Sequence, residues 1–457
     1  MASLALLRVF AWVLFAPASQ TGAPDQVLRS EKILVAEPDA EFHLKIRARA
    51  PGTSWDRKER PGALLKIFVD DRYDQDVFLV GGGRDMDYNV LLGPLAPGEH
   101  RLRIDWDNSW TPALETAPEI LATDLTALKR ADPAQEPILR APILYIRSDT
   151  VGRFSDAPLV LYWEREKDEV TYTVIFSNED GGTNTERLMA RWGRTTDIEW
   201  CYRYSKSGNS FEETFQGRDH KTLPFQGRKQ GGHPILYNVT VNNNFADASS
   251  EAPKVRVRPF PIFADLEGQA REVMMDRLPW TYAVMAQEMA REGKLERPAN
   301  PHAAGVSELR NYAYLEVCSL QRGTEIYFHL KLRRGEGWFS SDHGDPKSAI
   351  GRSGCARSTV ELPTGTGPDD LESLRIRCRR APATEGEKPV QHPAAEIQLV
   401  RKLFFLDDKY QPGPNLLDVA PNRNLKPGQS LTIPIPKSSA KTEHARKLVQ
   451  WSWPDPR

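Results

Sequence analysis

The chain is dominated by short runs in which apolar and polar residues alternate, each closed by a turn residue. EFHLKIRARA is one such run. ALLKIFVDDRYDQDVFLV is strand-like on both sides of an Asp-rich turn, and DYNVLLGPLAPGEHRLRIDW places two more strands around Pro94 to Gly98. A period of two sends successive side chains to opposite faces of a sheet, so these runs predict half-buried strands. Turns about 8–12 residues apart then favour antiparallel sheets stacked face to face. The 35 Pro and 31 Gly residues fit many turns between short elements better than long helices. The expected fold class is mainly β: tandem antiparallel β-sandwich domains of jelly-roll or Ig-like type, with one helical segment near 264–294.

A length of 457 residues allows about three domains. Residues 25–140 read as an N-terminal β-sandwich accessory domain. Its last stretch, LETAPEILATDLTALKRADPAQEPILRAP, is rich in Pro and Ala with weak periodicity, and reads as a linker or a long connection. Strand patterns return over 141–263 in APILYIRS, PLVLYWERE, EVTYTVIFSNE, TDIEWCYRYS and HPILYNVTVNN. DLEGQAREVMMDRLPWTYAVMAQEMAREGKL has apolar residues at helical spacing, interrupted by Pro279, and opens a mainly β region over 264–457. Trp451 and Trp453 in the polar tail are expected to dock back on the body.

The first residues, MASLALLRVFAWVLFAPASQ, combine Arg8, the apolar run Val9 to Phe15 and the small residues Ala16-Pro17-Ala18. That order predicts a signal peptide over 1–18 and a secreted, periplasmic or extracellular protein. No later window reaches the ~18 apolar residues of a membrane span. Export permits disulfides among Cys201, Cys318, Cys355 and Cys378; of three pairings, Cys318 with Cys378 is favoured because both lie in strand-like runs. No Cys/His cluster has zinc-site spacing. Lys and Arg (61) balance Asp and Glu (62), so no net field draws the chain to nucleic acid.

Candidate chemistry gathers in the middle region. Asn178, Glu179 and Asp180 end a strand before a Gly-Gly pair, an oxygen-rich turn that suits Ca²⁺; the same residue types also build ordinary tight turns. No motif demands another cofactor. Asp197 and Glu199 are two apart, hence on one strand face, where mutual repulsion raises one pKa and divides acid from base; the plainer alternative is a solvated face. His220 and His233 flank a turn-rich loop, followed by Asn242, Asn243, Asn244 and Asp247. If that loop folds over the strand ends, imidazoles, amides and carboxylates meet there. Trp55, Trp106 and Trp110 are either sandwich core or a sugar-stacking platform, with Trp110, beyond its strand end, the best platform residue. GxSxG, HExxH, P-loop and dinucleotide fingerprints are missing from the sequence. Asn238-Val239-Thr240 matches a glycosylation sequon, but inside a predicted strand.

The order VTYTVIFSNEDGGT, TTDIEW, GGHPILYNVT over about 143–250 resembles the vacuolar protein sorting-associated family of β-sandwich proteins. The resemblance implies a β-sandwich. Where members tend to carry a Ser-His pair after the His-Pro strand, this chain has Val241-Asn242-Asn243-Asn244. The N-terminal region is similar in architecture to accessory sandwiches of secreted, often carbohydrate-active, proteins.

Two functions are expected. The first is a secreted protein that binds carbohydrate or other cell-surface material, assisted by a cation, with Trp110, Asn243, Asn244 and Asp247 as contacts. The second is a secreted hydrolase of glycans, with Asp197, Glu199, His220 and His233 as the acid/base set.

Overall fold

Among the described residues the alternating runs pair into six sheets. The computed structural model describes residues 29–437 except 38–39, 110, 112–113, 115, 180, 182, 208–209, 250–254, 297–304, 384–387 and 389. The signal-like residues 1–18, Trp110, Asp180, Trp451 and Trp453 lie outside the described residues.

The chain is mainly β, in largely antiparallel sheets with helices between them. In the first region, Arg29–Ala36, Gly98–Trp106, Ala63–Val69 and Arg72–Leu79 form one sheet in that order. Met86–Leu95, Ala40–Arg49 and Glu119–Ala127 form the other. Leu44, Ile46 and Ala48 are fully buried while Lys45 and Arg47 face outward, the period-two pattern of EFHLKIRARA. Glu119–Ala127 corrects the reading of its stretch as linker or connection. It is a mostly exposed edge strand, held by its ladder to Ala40–Arg49, so it carries no apolar alternation to read.

The middle region has a six-stranded sheet with Asp197–Ser207 and Glu169–Phe176 near its centre, and a second sheet built on Ile143–Ile146 and His233–Asn238. Two of its pairings are parallel, Ile143–Ile146 with His233–Asn238 and Ile262–Phe263 with Pro158–Glu166. The last region stacks Gly354–Glu361, Tyr312–Arg322, Ala394–Phe405 and Arg423–Leu425 on Trp338–Ser340, Thr324–Leu332, Leu371–Arg380 and Ser430–Pro434.

The predicted helical passage is two helices, Val273–Arg277 and Trp280–Arg291, broken at Pro279. Tyr282, Met285 and Met289 pack with Ile175 and Ile198 of the central sheet and with Tyr314 and Phe404 of the last region. The longer helix is thus buried between two sheets, which explains apolar residues on most of its circumference. A charged knot ties the same junction: buried Arg357 holds Asp276 at 2.7 Å and Glu316 at 3.1 Å, and Lys402 joins Asp276 at 2.9 Å.

The disulfide joins Cys318 to Cys355, not to Cys378. Cys318 and Cys355 face each other across neighbouring strands, whereas Cys378 belongs to the opposite sheet; Cys378 and Cys201 are buried free thiols. Strand character alone does not say which sheet a strand joins, and that decided the pairing. Among the described residues no helix is long and apolar enough to cross a membrane. Asn238 of the sequon is buried and donates to Asn243 at 2.8 Å.

Candidate active site

The antiparallel ladder between Glu169–Phe176 and Asp197–Ser207 sets Phe176 opposite Asp197 and Val174 opposite Glu199. Beyond Phe176 the chain stays alongside, because the Glu179 amide donates to the Thr195 carbonyl at 3.1 Å. Glu179, Asp197 and Glu199 therefore gather at one strand end. Asp197 and Glu199 share a face as their spacing predicts, while Ile198 between them packs into the helical junction. The face is not a solvated one, since Asp197 is 2% exposed.

The His-bearing loop does fold back. Thr222–Pro224 pairs with Ser210–Gln216, and the link between them turns through positive φ at Asp219 and His220. His220 Nδ1 then stands 3.6 Å from the Glu199 carboxylate. The Asn242 amide lies 3.0 Å from His220 Nε2, and the Asn244 amide 3.4 Å from Nδ1. Gln216 donates to Glu199 from the strand beside it. Asn243, fully buried with φ 50°, donates to Asp197 at 3.1 Å. Asn243 and Asn244 thus support the acids and the imidazole, and Asn242 lines the open space.

That space is a cavity of about 620 Å³ lined by Glu179, Asp197, Glu199, His220 and Asn242. Trp192, Arg194, Gly268 to Glu272, Arg352, Gly354 and the disulfide residue Cys355 also line it. A second cavity of about 480 Å³, between the first and middle regions, contains none of the residues singled out from sequence.

Electrostatics separate the acids. Burial lifts the Glu179 carboxyl to about 7, against the pull of Arg194 and a hydrogen bond from Thr183. Burial pushes Asp197 well above the carboxylate range, and repulsion from Glu199 and Glu179 adds to it. The Glu199 carboxylate 3.6 Å away holds the His220 imidazole above its usual range despite partial burial. Arg194, held by Glu272 at 3.0 Å and 3.9 Å from Asp197, supplies the balancing cation. A carboxyl that keeps its proton near neutrality, beside a second carboxyl and an imidazole, is an acid/base arrangement.

Other expected residues lie elsewhere. His233 is fully buried between the Ala141 carbonyl at 2.7 Å and Glu41 at 2.5 Å, where it clamps the first region to the middle one. It is a structural histidine, drawn from the cavity because the His-Pro strand runs through the second sheet. Asn178 donates to Glu292 at 3.1 Å, whereas Glu179 lines the cavity. Asp247 accepts from the Gln226 amide at 2.8 Å and pins the loop instead of lining the cavity. Trp55 is core, 1% exposed, its Nε1 donating to Glu288 at 2.8 Å; Trp106 is partly buried opposite Leu65.

Sequence reasoning missed Trp192, Arg194, Glu272 and Arg352. A signal for the first existed: Asn184 caps a helix, Thr185–Trp192, by accepting from the Glu186 and Arg187 amides, and Gly193 closes it in the left-handed conformation. An Asn before TERLMARW and a Gly after it mark that helix, whose last residue is the cavity tryptophan. No protein-family model matches the chain, and no curated protein matches it.

Proposed function

We propose that the protein is a secreted glycan hydrolase whose site is the carboxylate cavity of the middle region. The observation that carries this reading is the convergence of Glu179, Glu199 and His220 on one cavity, with the Glu179 carboxyl lifted to about 7. Glu179 acts as proton donor to the leaving oxygen. Glu199, oriented by Gln216 and His220, acts as the base or nucleophile on the opposite side of the bond. Asp197, locked by Asn243, keeps the strand end in place. Trp192 offers an aromatic face to a sugar ring. The signal-like leader and the disulfide support an extracellular setting.

A second reading, glycan binding without turnover, is favoured by one feature: Asp197 directs its oxygens inward, to Asn243 and Arg194. Hydrolysis assays on a panel of neutral and acidic oligosaccharides, paired with binding assays, separate the two. The hydrolase reading expects a rate loss of about 10²–10⁴-fold for Glu199→Gln with binding retained. Retained activity in that variant overturns the assignment; binding with no turnover of any panel member by the wild type favours the second reading.

A further inference from the structure

The part of the cavity lining that carries Arg352 and Arg271 has an electrostatic imbalance that the acid/base reading does not use. Arg352 donates through Nη2 to the Arg191 carbonyl at 2.7 Å, but its Nη1 is buried and has no hydrogen-bond partner among the described residues. Its guanidinium carbon lies 5.3 Å from the centre of the Trp192 ring, and that of Arg191 lies 4.6 Å from the same ring. Glu272 attracts the Arg352 guanidinium, while Arg191, Arg194 and Arg271 repel it. Glu272 is already engaged by Arg194 at 3.0 Å, so it does not complete the shell of Arg352. Burial, with repulsion from these arginines, lowers the Arg352 guanidinium to about 10, which leaves it charged at neutral pH but poorly compensated. A buried cationic donor without a partner is costly, and an incoming anion removes that cost. Arg271 is exposed and lines the same cavity, where it adds a second cation.

We propose that Arg352 and Arg271 form an oxyanion subsite within this cavity, so that its ligand is an acidic glycan with a carboxylate or sulfate group close to the bond flanked by Glu179 and Glu199. This deepens the glycan-hydrolase reading and rests on it for the identity of the flanked bond. Guanidinium groups recognise planar carboxylates and sulfates through charge-assisted hydrogen bonds, the free Arg352 Nη1 pointing to one such bond. Trp192 lines the same cavity with its ring centre 5.3 Å from the Arg352 guanidinium, so a sugar ring held beside it brings an anionic substituent within reach of that cation.

The test uses the full-length protein and three trisaccharide-sized probes: a galacturonate oligomer carrying only carboxylates, a carrageenan oligomer carrying only sulfates, and a neutral cello-oligomer. Binding is measured by calorimetry for the wild type, Arg352→Gln, Arg352→Lys and Arg271→Gln. The proposal expects at least one acidic probe to bind at least tenfold more tightly than the neutral one, with the preferred acidic probe telling carboxylate from sulfate. Arg352→Gln is expected to weaken that binding about tenfold, Arg352→Lys less, and the exposed Arg271→Gln about threefold, in keeping with charge-assisted bonds. Because Arg271→Gln changes an exposed side chain, its effect is readable even if Arg352→Gln perturbs folding. Equal binding of neutral and acidic probes, or acidic binding unchanged in both Arg271→Gln and Arg352→Lys, overturns the subsite; so does failure of both acidic probes to bind. If arginine-dependent binding is found but the wild type cleaves nothing, the subsite stands and the hydrolase reading falls.

Discussion

At the scale of residues, the behaviour of the site depends on the Glu179 carboxyl keeping its proton. Glu179 and Glu199 are chemically alike, yet one is half-buried at a strand end beside Arg194 and the other faces an imidazole and an amide. Their surroundings, not their chemistry, set them apart. His220 reports on this directly, since Glu199 is the main group that raises its proton affinity. In Glu199→Gln the His220 imidazole is expected to titrate at a lower pH than in the wild type, as followed by the ring proton shifts in NMR. An unchanged titration contradicts the pairing. Part of this was legible in sequence: Asp197 and Glu199 share a face by spacing, and His220 lies on the loop that folds over them. His233 was not separable from His220 by sequence, because its burial depends on Glu41, 192 residues away. The arginines were not legible either. Arg352 and Arg271 reach the cavity from a different region of the chain, and no local pattern marks that approach.

At the scale of elements, the Thr185–Trp192 helix forms the wall that carries Trp192, and its two caps fix where it starts and stops. Asn184→Ala removes the side-chain acceptor for two amides and is expected to cost about 1 kcal/mol in chemical denaturation. Gly193→Ala costs more, about 1–3 kcal/mol, because φ is +63° there and the new Cβ would lie 2.6 Å from Cγ of buried Arg357. A Gly193→Ala protein as stable as the wild type contradicts this packing. The strands were legible wherever one face is buried, as in EFHLKIRARA. Glu119–Ala127 was not, since an exposed edge strand is specified by its partner's backbone and not by its own side chains.

At the scale of the whole molecule, several buried acids share one behaviour. Burial lifts Glu179, Glu288 and Asp76 to about 7. Each binds its proton more tightly folded than unfolded, so stability falls as pH rises from the ordinary carboxylate range to about 7. For fully buried Glu288, with an ordinary value of 4.5, the loss is on the order of 3 kcal/mol. His220 and His343, both raised, add stability below the ordinary imidazole range that is lost as pH rises through their folded values. His343 owes its shift, against burial, to Glu186 at 2.8 Å. Asp276 acts in the opposite direction: against burial, Arg357 and Lys402 hold it low, and its stabilisation is lost only as pH falls through the acid range. Thermal melts are therefore expected to peak near about pH 5 and to fall toward about pH 8. A melting temperature that rises over that interval contradicts these assignments.

In the proposed function Glu179 is the proton donor of a hydrolytic site, and the pH profile of kcat/KM on the cleaved oligosaccharide tests that role most directly. The wild type is expected to lose activity on the alkaline side near about pH 7, where Glu179 gives up its proton. Glu179→Gln is expected to fall by about 10²–10⁴-fold. A Glu179→Gln enzyme with wild-type rates and an unchanged alkaline limb contradicts the account.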